Sequence, residues 1–161
     1  SVVRALSEID PEGAESYQLN GDAYRKELDA LDAWVAEQVE KIPSGQRVLI
    51  TAHDAFSYFG QAYGIEVMGL QGISTVAEYG VNDVNGLVDF ISGRKIRAIF
   101  VESSVPERSI EAVRQGCLQR GHAVSIGGTL YSDAMGGQGS GADTYASMVR
   151  SNVETIVGAL Q

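Results

Sequence analysis

The sequence predicts an α/β fold: a four-stranded parallel sheet with helices on both faces, preceded by one long helix. Four short runs rich in aliphatic and β-branched residues have the character of buried strands, and each is followed by apolar residues at helical spacing. Strands that alternate with helices in this way pair in parallel, and the helices cover the sheet. The predicted strands span residues 48–51, 66–70, 96–101 and 123–131.

The composition is that of a globular domain with an acidic surface. The chain has 161 residues, of which 44% are hydrophobic, and a formal net charge of -9. A chain of this length buries enough surface for one core. Its excess of carboxylates argues against nucleic acid or anionic membranes as partners and is compatible with a cation as cargo. The single cysteine, Cys117, allows no internal disulfide and is expected to be a small buried helix residue.

The first 44 residues are predicted to be helical. Residues 1–9 have the pattern of a helix end, and Asp10-Pro11 has that of a helix start, because a capping side chain precedes a proline. Apolar side chains then recur every three or four residues along one stripe, formed by Tyr24, Leu28, Leu31, Val35, Val39 and Ile42. The helix either runs through Asn20-Gly21 or is interrupted there, and it ends at Pro43.

Start and stop signals place the other helices between the strands. Asp54 is expected to cap a helix that starts at Ala55. A capping box is predicted from Ser74-Thr75 with Glu78. Further helices are predicted over residues 83–94, 106–121 and 142–160, the second with Ile110, Val113 and Leu118 facing inward.

Three ionisable residues, His53, Glu102 and Asp133, each follow a predicted strand. The carboxyl ends of parallel strands share one edge of a sheet, and ligands of open α/β sheets bind there. An imidazole together with carboxylates suits zinc or manganese. Taken singly, each residue also fits a structural role in a loop or a cap. Taken together, they predict a site at this edge.

Two other interpretations remain open at this point. A small α/β enzyme could use His53 as general base, with Asp133 or Glu102 as its partner. A metal-independent interaction domain would need no site at all. Gly137, Gly139 and Ala142 have the spacing of a dinucleotide-binding loop, but no strand and acidic residue follow them as that fingerprint requires. The sequence also lacks a Gly-x-Ser-x-Gly elbow, which argues against a serine hydrolase.

Several segments agree in order and spacing with one known family. They are Thr51-Ala-His-Asp-Ala-Phe56 with Ala62-Tyr-Gly64, Phe100-Val-Glu-Ser-Ser104, Tyr131-Ser-Asp-Ala-Met135, and Thr144-Tyr145 with Met148 and Asn152. Over essentially its whole length, the chain resembles the carboxyl-terminal lobe of the TroA-like solute-binding proteins, which serve bacterial ABC importers of zinc and manganese.

The resemblance implies a function without catalysis. Members of the family have two α/β lobes joined by a long helix, and each lobe supplies two ligands to one metal ion in the cleft. His53 matches the third ligand position and Asp133 the fourth, while Glu102 matches a position that supports a ligand without binding the metal. A histidine at position 53 is similar to members that take zinc, or zinc and manganese. The implied partners are a divalent metal ion and an ABC permease, at the periplasmic or extracellular face of the membrane.

The chain departs from the family in one respect, because the first two histidine ligands belong to the amino-terminal lobe and neither is present here. The resemblance therefore implies an isolated lobe, with residues 1–44 as the inter-lobe helix region and 45–161 as the carboxyl-terminal metal-binding lobe. Such a lobe holds half a coordination sphere for zinc or manganese. It is also expected to expose apolar surface that favours self-association.

Overall fold

The computed structural model describes residues 1–71 and 80–161, and it confirms an α/β fold with parallel strands. The helices are α1 (Val2–Ile9), α2 (Ala14–Glu40), α3 (Ser57–Tyr63), α4 (Val81–Arg94), α5 (Arg108–Gln119) and α6 (Tyr145–Leu160). The strands are β1 (Val48–His53), β2 (Glu66–Gln71), β3 (Ala98–Glu102) and β4 (Ser125–Leu130). The capping box predicted at Ser74, Thr75 and Glu78 lies outside the described residues. Within the described part of the chain, no helix has the length and apolar character to cross a membrane.

The contacts divide the chain into two units, residues 1–34 and 35–161, and the division falls inside α2. The predicted boundary between residues 44 and 45 remains a prediction. In the first unit, α2 runs through Asn20-Gly21 without interruption. A Cβ atom on Gly21 would lie 2.5 Å from Cγ2 of Val3 in α1. The glycine is therefore needed for close packing of α1 on α2, and not for a break in the helix.

The predicted helix start at Asp10-Pro11 is corrected. Asp10 ends α1, and α2 begins only at Ala14. The carboxylate of Asp10 accepts hydrogen bonds from the backbone N–H of Gly13 (3.3 Å) and from the hydroxyl of Tyr17 (2.6 Å). The Tyr17 hydrogen bond lowers the pKa of Asp10 below its usual value. Asp10 therefore stabilises the turn between the two helices, and it lies four residues before Ala14, the first residue of the helix that the sequence predicted it to open.

The strands pair in two parallel ladders, β1 with β2 and β3 with β4. Among the described residues these are two separate two-stranded sheets, so the prediction of one continuous four-stranded sheet is corrected. β1 lies next to β3 without ladder hydrogen bonds between them. A side-chain hydrogen bond connects the ends of these two strands in place of backbone pairing. Oε1 of Glu102, at the end of β3, accepts a hydrogen bond of 2.9 Å from the backbone N–H of His53, at the end of β1.

Alternate residues of β1 and β3 point to opposite faces, as the period of a strand requires. One face packs against α4 and α5 in a core that includes Val48, Ile50, Ala52, Ile99, Val101, Leu87, Val88, Ile91, Ile110 and Val113. The other face carries Phe100, whose ring lies against β4 and α6 near Gly127 and Ala159. Helices therefore cover both faces, and the side chains of His53 and Glu102 fall on the α6 side.

Cys117 is buried in α5, as predicted, and burial raises the pKa of its thiol. The inward position predicted for Leu118 is wrong, because 54% of that residue is exposed. Ile110, Val113 and Cys117 follow one another at steps of three and four and so share one helix face. Leu118 is displaced from that face by one residue.

Candidate metal centre

His53 is the last residue of β1, where the sequence placed it just beyond the strand. Its carbonyl oxygen accepts hydrogen bonds from the hydroxyl of Thr51 (2.8 Å) and from the backbone N–H of Ala55 (3.0 Å). Only 2% of the residue is exposed. Hydrogen bonds from residues before and after His53 thus fix its backbone. The imidazole therefore starts from a defined position at the carboxyl end of the strand.

The capping role predicted for Asp54 is corrected. The helix starts at Ser57 and not at Ala55, and no side chain caps its first residues. The carboxylate of Asp54 instead accepts a hydrogen bond from the hydroxyl of Ser57. Because Ala55 is bonded back to His53, the chain makes a turn before the helix begins.

Glu102 contacts His53 twice. Besides the backbone N–H, the other carboxylate oxygen, Oε2, lies 2.7 Å from Nδ1 of the imidazole. Both side chains are buried, the glutamate completely. The contact is close in distance but not aligned as a linear hydrogen bond, and neither Nδ1 nor Oε2 has another hydrogen-bond partner. A carboxylate facing Nδ1 favours the tautomer with its proton on that nitrogen, which leaves a lone pair on Nε2.

Asp133 faces that second nitrogen. Its Oδ1 lies 3.3 Å from Nε2 of His53, although 80 residues separate the two in the chain. Asp133 is three residues beyond the end of β4, and 56% of its side chain is exposed. The preceding residue, Ser132, shares a hydroxyl hydrogen bond of 2.7 Å with Ser104, which follows β3. The loops after β3 and β4 are thereby tied together beside the imidazole.

The structure therefore brings together all three residues that the sequence singled out. A lone pair on Nε2 that faces an anionic oxygen is unfavourable, and a cation between the two atoms would remove the repulsion. Ligands at about 2.0–2.1 Å from a tetrahedral zinc ion lie about 3.3 Å from one another. The observed separation of Nε2 and Oδ1 equals that ligand–ligand distance. The donor set fits zinc, and Glu102 occupies the place of a carboxylate that orients a ligating histidine.

The centre provides two donors and not a complete shell. Among residues 1–71 and 80–161, no group of three histidine, cysteine, aspartate or glutamate side chains is arranged to hold a metal ion. The second histidine, His122, lies at the other end of the strands, where its Nε2 is 2.7 Å from the carbonyl oxygen of Ile96. A closed four-ligand site would need donors beyond those that residues 1–71 and 80–161 bring together here.

Asn152 is a residue of this region to which the sequence assigned no role. It is buried in α6, and its amide makes two hydrogen bonds with the main chain of Tyr131. The signal in the sequence is an amide on the helix face that also carries Val149, Val153 and Ile156. A polar residue on such a face needs hydrogen-bond partners, but the sequence does not say which.

Comparisons with known proteins identify a family and several relatives to which the chain is similar. A family model described as "ZnuA: Zinc-uptake complex component A periplasmic" matches residues 1–159. Manganese-binding lipoprotein MntA of Bacillus subtilis is 49% identical over 97% of this chain, and zinc-binding protein TroA of Treponema pallidum is 47% identical over 99%. The solved structure of the periplasmic zinc-binding protein TroA from Treponema pallidum matches 99% of this chain and 57% of its own, with a TM-score of 0.95 at 47% identity.

The chain spans about half the length of these curated relatives, 51% of MntA and 52% of TroA. The match of the family model nevertheless extends over nearly every residue of the chain. The resemblance predicted from the sequence is therefore confirmed, and the chain belongs to the family described as ZnuA, the periplasmic component A of a zinc-uptake complex.

Proposed function

We propose that this chain is a metal-binding lobe of the solute-binding component of an ABC importer for zinc or manganese. His53 binds the ion through Nε2 and Asp133 through a carboxylate oxygen, while Glu102 holds the imidazole by its Nδ1. Residues outside this chain complete the coordination shell. The loaded protein delivers the ion to a membrane permease at the periplasmic or extracellular face. The family match and the names of the relatives, which include a manganese-binding and a zinc-binding protein, support this proposal.

The observation that carries the proposal is the approach of Nε2 to Oδ1. Two donors of opposite character, one neutral and one anionic, lie at the separation expected for neighbouring ligands of zinc. The other ring nitrogen, Nδ1, lies 2.7 Å from Oε2 of a fully buried carboxylate. Asp133 stays accessible to solvent and can admit an ion. Imidazole favours zinc, whereas carboxylate serves zinc and manganese alike.

A zinc titration of the chain tests the assignment of Asp133. The Asp133→Asn variant loses an anionic donor while keeping its size. We expect it to bind zinc at least about tenfold more weakly, since even groups one step removed from a metal have effects of this size. Isothermal calorimetry with zinc chloride measures the affinity.

A matched control is Asp143→Asn. Asp143 is an exposed carboxylate in the same connection between β4 and α6, and it accepts a hydrogen bond from the backbone N–H of Gly139. It has no contact with His53, so its replacement should leave the zinc affinity unchanged. Equal affinities for the wild-type chain and the Asp133 variant would show that Asp133 is not a ligand.

The pairing of Glu102 with His53 also has the form of a general base and its orienting carboxylate, as in the alternative of a small α/β enzyme. The family is one of transporter binding proteins and not an enzyme family, which favours the metal-binding interpretation. A metal-independent interaction domain would give the arrangement of three ionisable side chains no role.

The first unit exposes apolar side chains that we propose are covered by another part of the whole protein, or by a second copy of this chain. They include Val2 (75% exposed), Leu6 (40%), Ile9 (82%), Leu19 (65%) and Tyr24 (48%). We expect the apparent mass in light scattering to rise with concentration, and Val2→Lys with Ile9→Lys to abolish that rise. A monodisperse monomer at millimolar concentration would contradict self-association.

A further inference from the structure

We infer that Asn152 is a positioning residue that holds Asp133 at the metal-binding edge. The inference rests on the proposed role of Asp133 as a ligand. Asn152 does not touch His53 or Asp133. It acts through the main chain of Tyr131, two residues ahead of the aspartate.

The contacts of Asn152 with Tyr131 resemble those of a neighbouring strand. Its Oδ1 accepts the backbone N–H of Tyr131 at 2.9 Å, and its Nδ2 donates to the carbonyl oxygen of the same residue at 2.7 Å. The ladder between β3 and β4 ends at Leu130, one residue earlier. The amide therefore continues the hydrogen bonding of β4 by one residue on the side of α6.

The position of Asp133 depends on this anchor because little else holds it. The stretch between the end of β4 and the start of α6 contains neither helix nor strand, and the side chain of Asp133 is more than half exposed. The other tie close to it, between Ser132 and Ser104, lies at the surface. Asn152 provides the buried one. An exposed hydroxyl pair competes with water, whereas a buried amide with two aligned partners has no such competitor.

Burying the side-chain amide of Asn152 would be unfavourable without its hydrogen bonds to Tyr131. Asn152 is 7% exposed, and its neighbours on α6, Val153 and Ile156, are buried. A buried amide without partners would be unfavourable, but here it satisfies both polar groups of one residue in a segment without a strand partner. Helix α6 packs along β4, so the anchor joins the loop of Asp133 to the helix that covers the preceding strand.

The test is the affinity for zinc alone, measured by competition with a chromophoric chelator. We expect Asn152→Leu, which keeps the size and removes both hydrogen bonds, to weaken zinc binding by about tenfold, the lower end of the range for residues that orient ligands. Asn152→Asp keeps the acceptor for the Tyr131 N–H but turns a carboxylate oxygen toward the carbonyl oxygen of Tyr131, so it should weaken zinc binding as well. The control is Thr155→Val on the same helix, whose hydroxyl bonds only the carbonyl oxygen of Ser151; it should bind zinc as the wild type does.

A second background separates positioning from general structural damage. If Asn152 acts through Asp133, then Asn152→Leu should cause no further loss of zinc affinity in a chain that already carries Asp133→Asn. Hydrogen exchange of the Tyr131 amide should become faster in Asn152→Leu than in the wild type. An equal loss of affinity in both backgrounds, or an unchanged affinity in Asn152→Leu, would overturn the inference while leaving Asp133 a ligand. An unchanged affinity in Asp133→Asn itself would overturn the proposed function, and this inference with it.

Discussion

Replacing His53 with alanine is expected to abolish detectable zinc binding and to lower the free energy of unfolding by about 3 kcal/mol. The imidazole is the one neutral nitrogen donor of the proposed site, and it is also the partner of a fully buried carboxylate. Removing one partner of a buried polar contact leaves the other group without compensation for its desolvation, which costs about 1–3 kcal/mol and more for a charged group. A value of about 3 kcal/mol applies because the remaining carboxylate of Glu102 is fully buried, although its Oε1 keeps the backbone N–H of residue 53. Urea unfolding followed by circular dichroism measures the change.

A double variant separates the loss of a ligand from the loss of stability. His53→Leu together with Glu102→Gln removes the imidazole and the buried charge, while the amide oxygen of the glutamine can still accept the backbone N–H of residue 53. A neutral amide without its side-chain partner costs less to bury than a carboxylate without its partner. We therefore expect the double variant to be more stable than His53→Ala and yet to bind no zinc. Zinc binding by this variant at wild-type affinity would show that His53 is not a ligand.

Local patterns were sufficient to predict the order of elements but not their ends. The apolar runs placed all four strands, because β-branched and aliphatic residues mark buried strands wherever the chain uses them. The ends depend on particular hydrogen bonds. Asp10 turned out to hold a turn with Gly13 and Tyr17, and Asp54 a contact with Ser57, where the pattern of each predicted a helix cap. A capping side chain and a turn-forming side chain have the same composition, so the sequence cannot distinguish them.

The grouping of the strands shows a similar limit. The sequence predicts parallel pairing from the alternation of strands and helices, and both ladders are parallel. It contains no signal that a glutamate side chain, and not a ladder, connects β1 with β3 at their ends. Such a contact joins residues 49 positions apart, and it depends on how far one strand is shifted along its axis relative to the other.

The proximity of the three candidate residues was predictable, but the geometry of their contacts was not. His53, Glu102 and Asp133 follow from one rule, that carboxyl ends of parallel strands share an edge. Which nitrogen of His53 faces which carboxylate depends on the rotation of one ring. The supporting role of Asn152 depends on α6 lying along β4 with that face inward. Both features depend on tertiary packing, about which the periodicity of apolar residues in the sequence gives no information.

A second large effect is expected in the core beneath the site. Phe100 is a residue of β3, two positions before Glu102. It is fully buried, and its ring faces Gly127 of β4. Phe100→Ala should lower the free energy of unfolding by about 3–5 kcal/mol, because it removes the largest fully buried side chain of this face and leaves a cavity. Urea unfolding measures this loss, and a loss below about 1 kcal/mol would contradict the close packing seen around the ring.

The absence of a side chain at position 127 is the matching half of that packing. A Cβ atom there would lie 2.6 Å from Cε1 of Phe100 and 2.8 Å from Cβ of Ala159. Gly127→Ala should therefore cost about 1–3 kcal/mol by overpacking. In a Phe100→Leu background the same substitution should cost less, since the ring atom is gone, but it should still cost something, since Ala159 remains. A double-mutant cycle measures this coupling. Strictly additive losses would mean that the ring and the glycine do not share the space, and that Phe100 does not hold β4 and α6 in the arrangement on which the anchor of Asp133 depends.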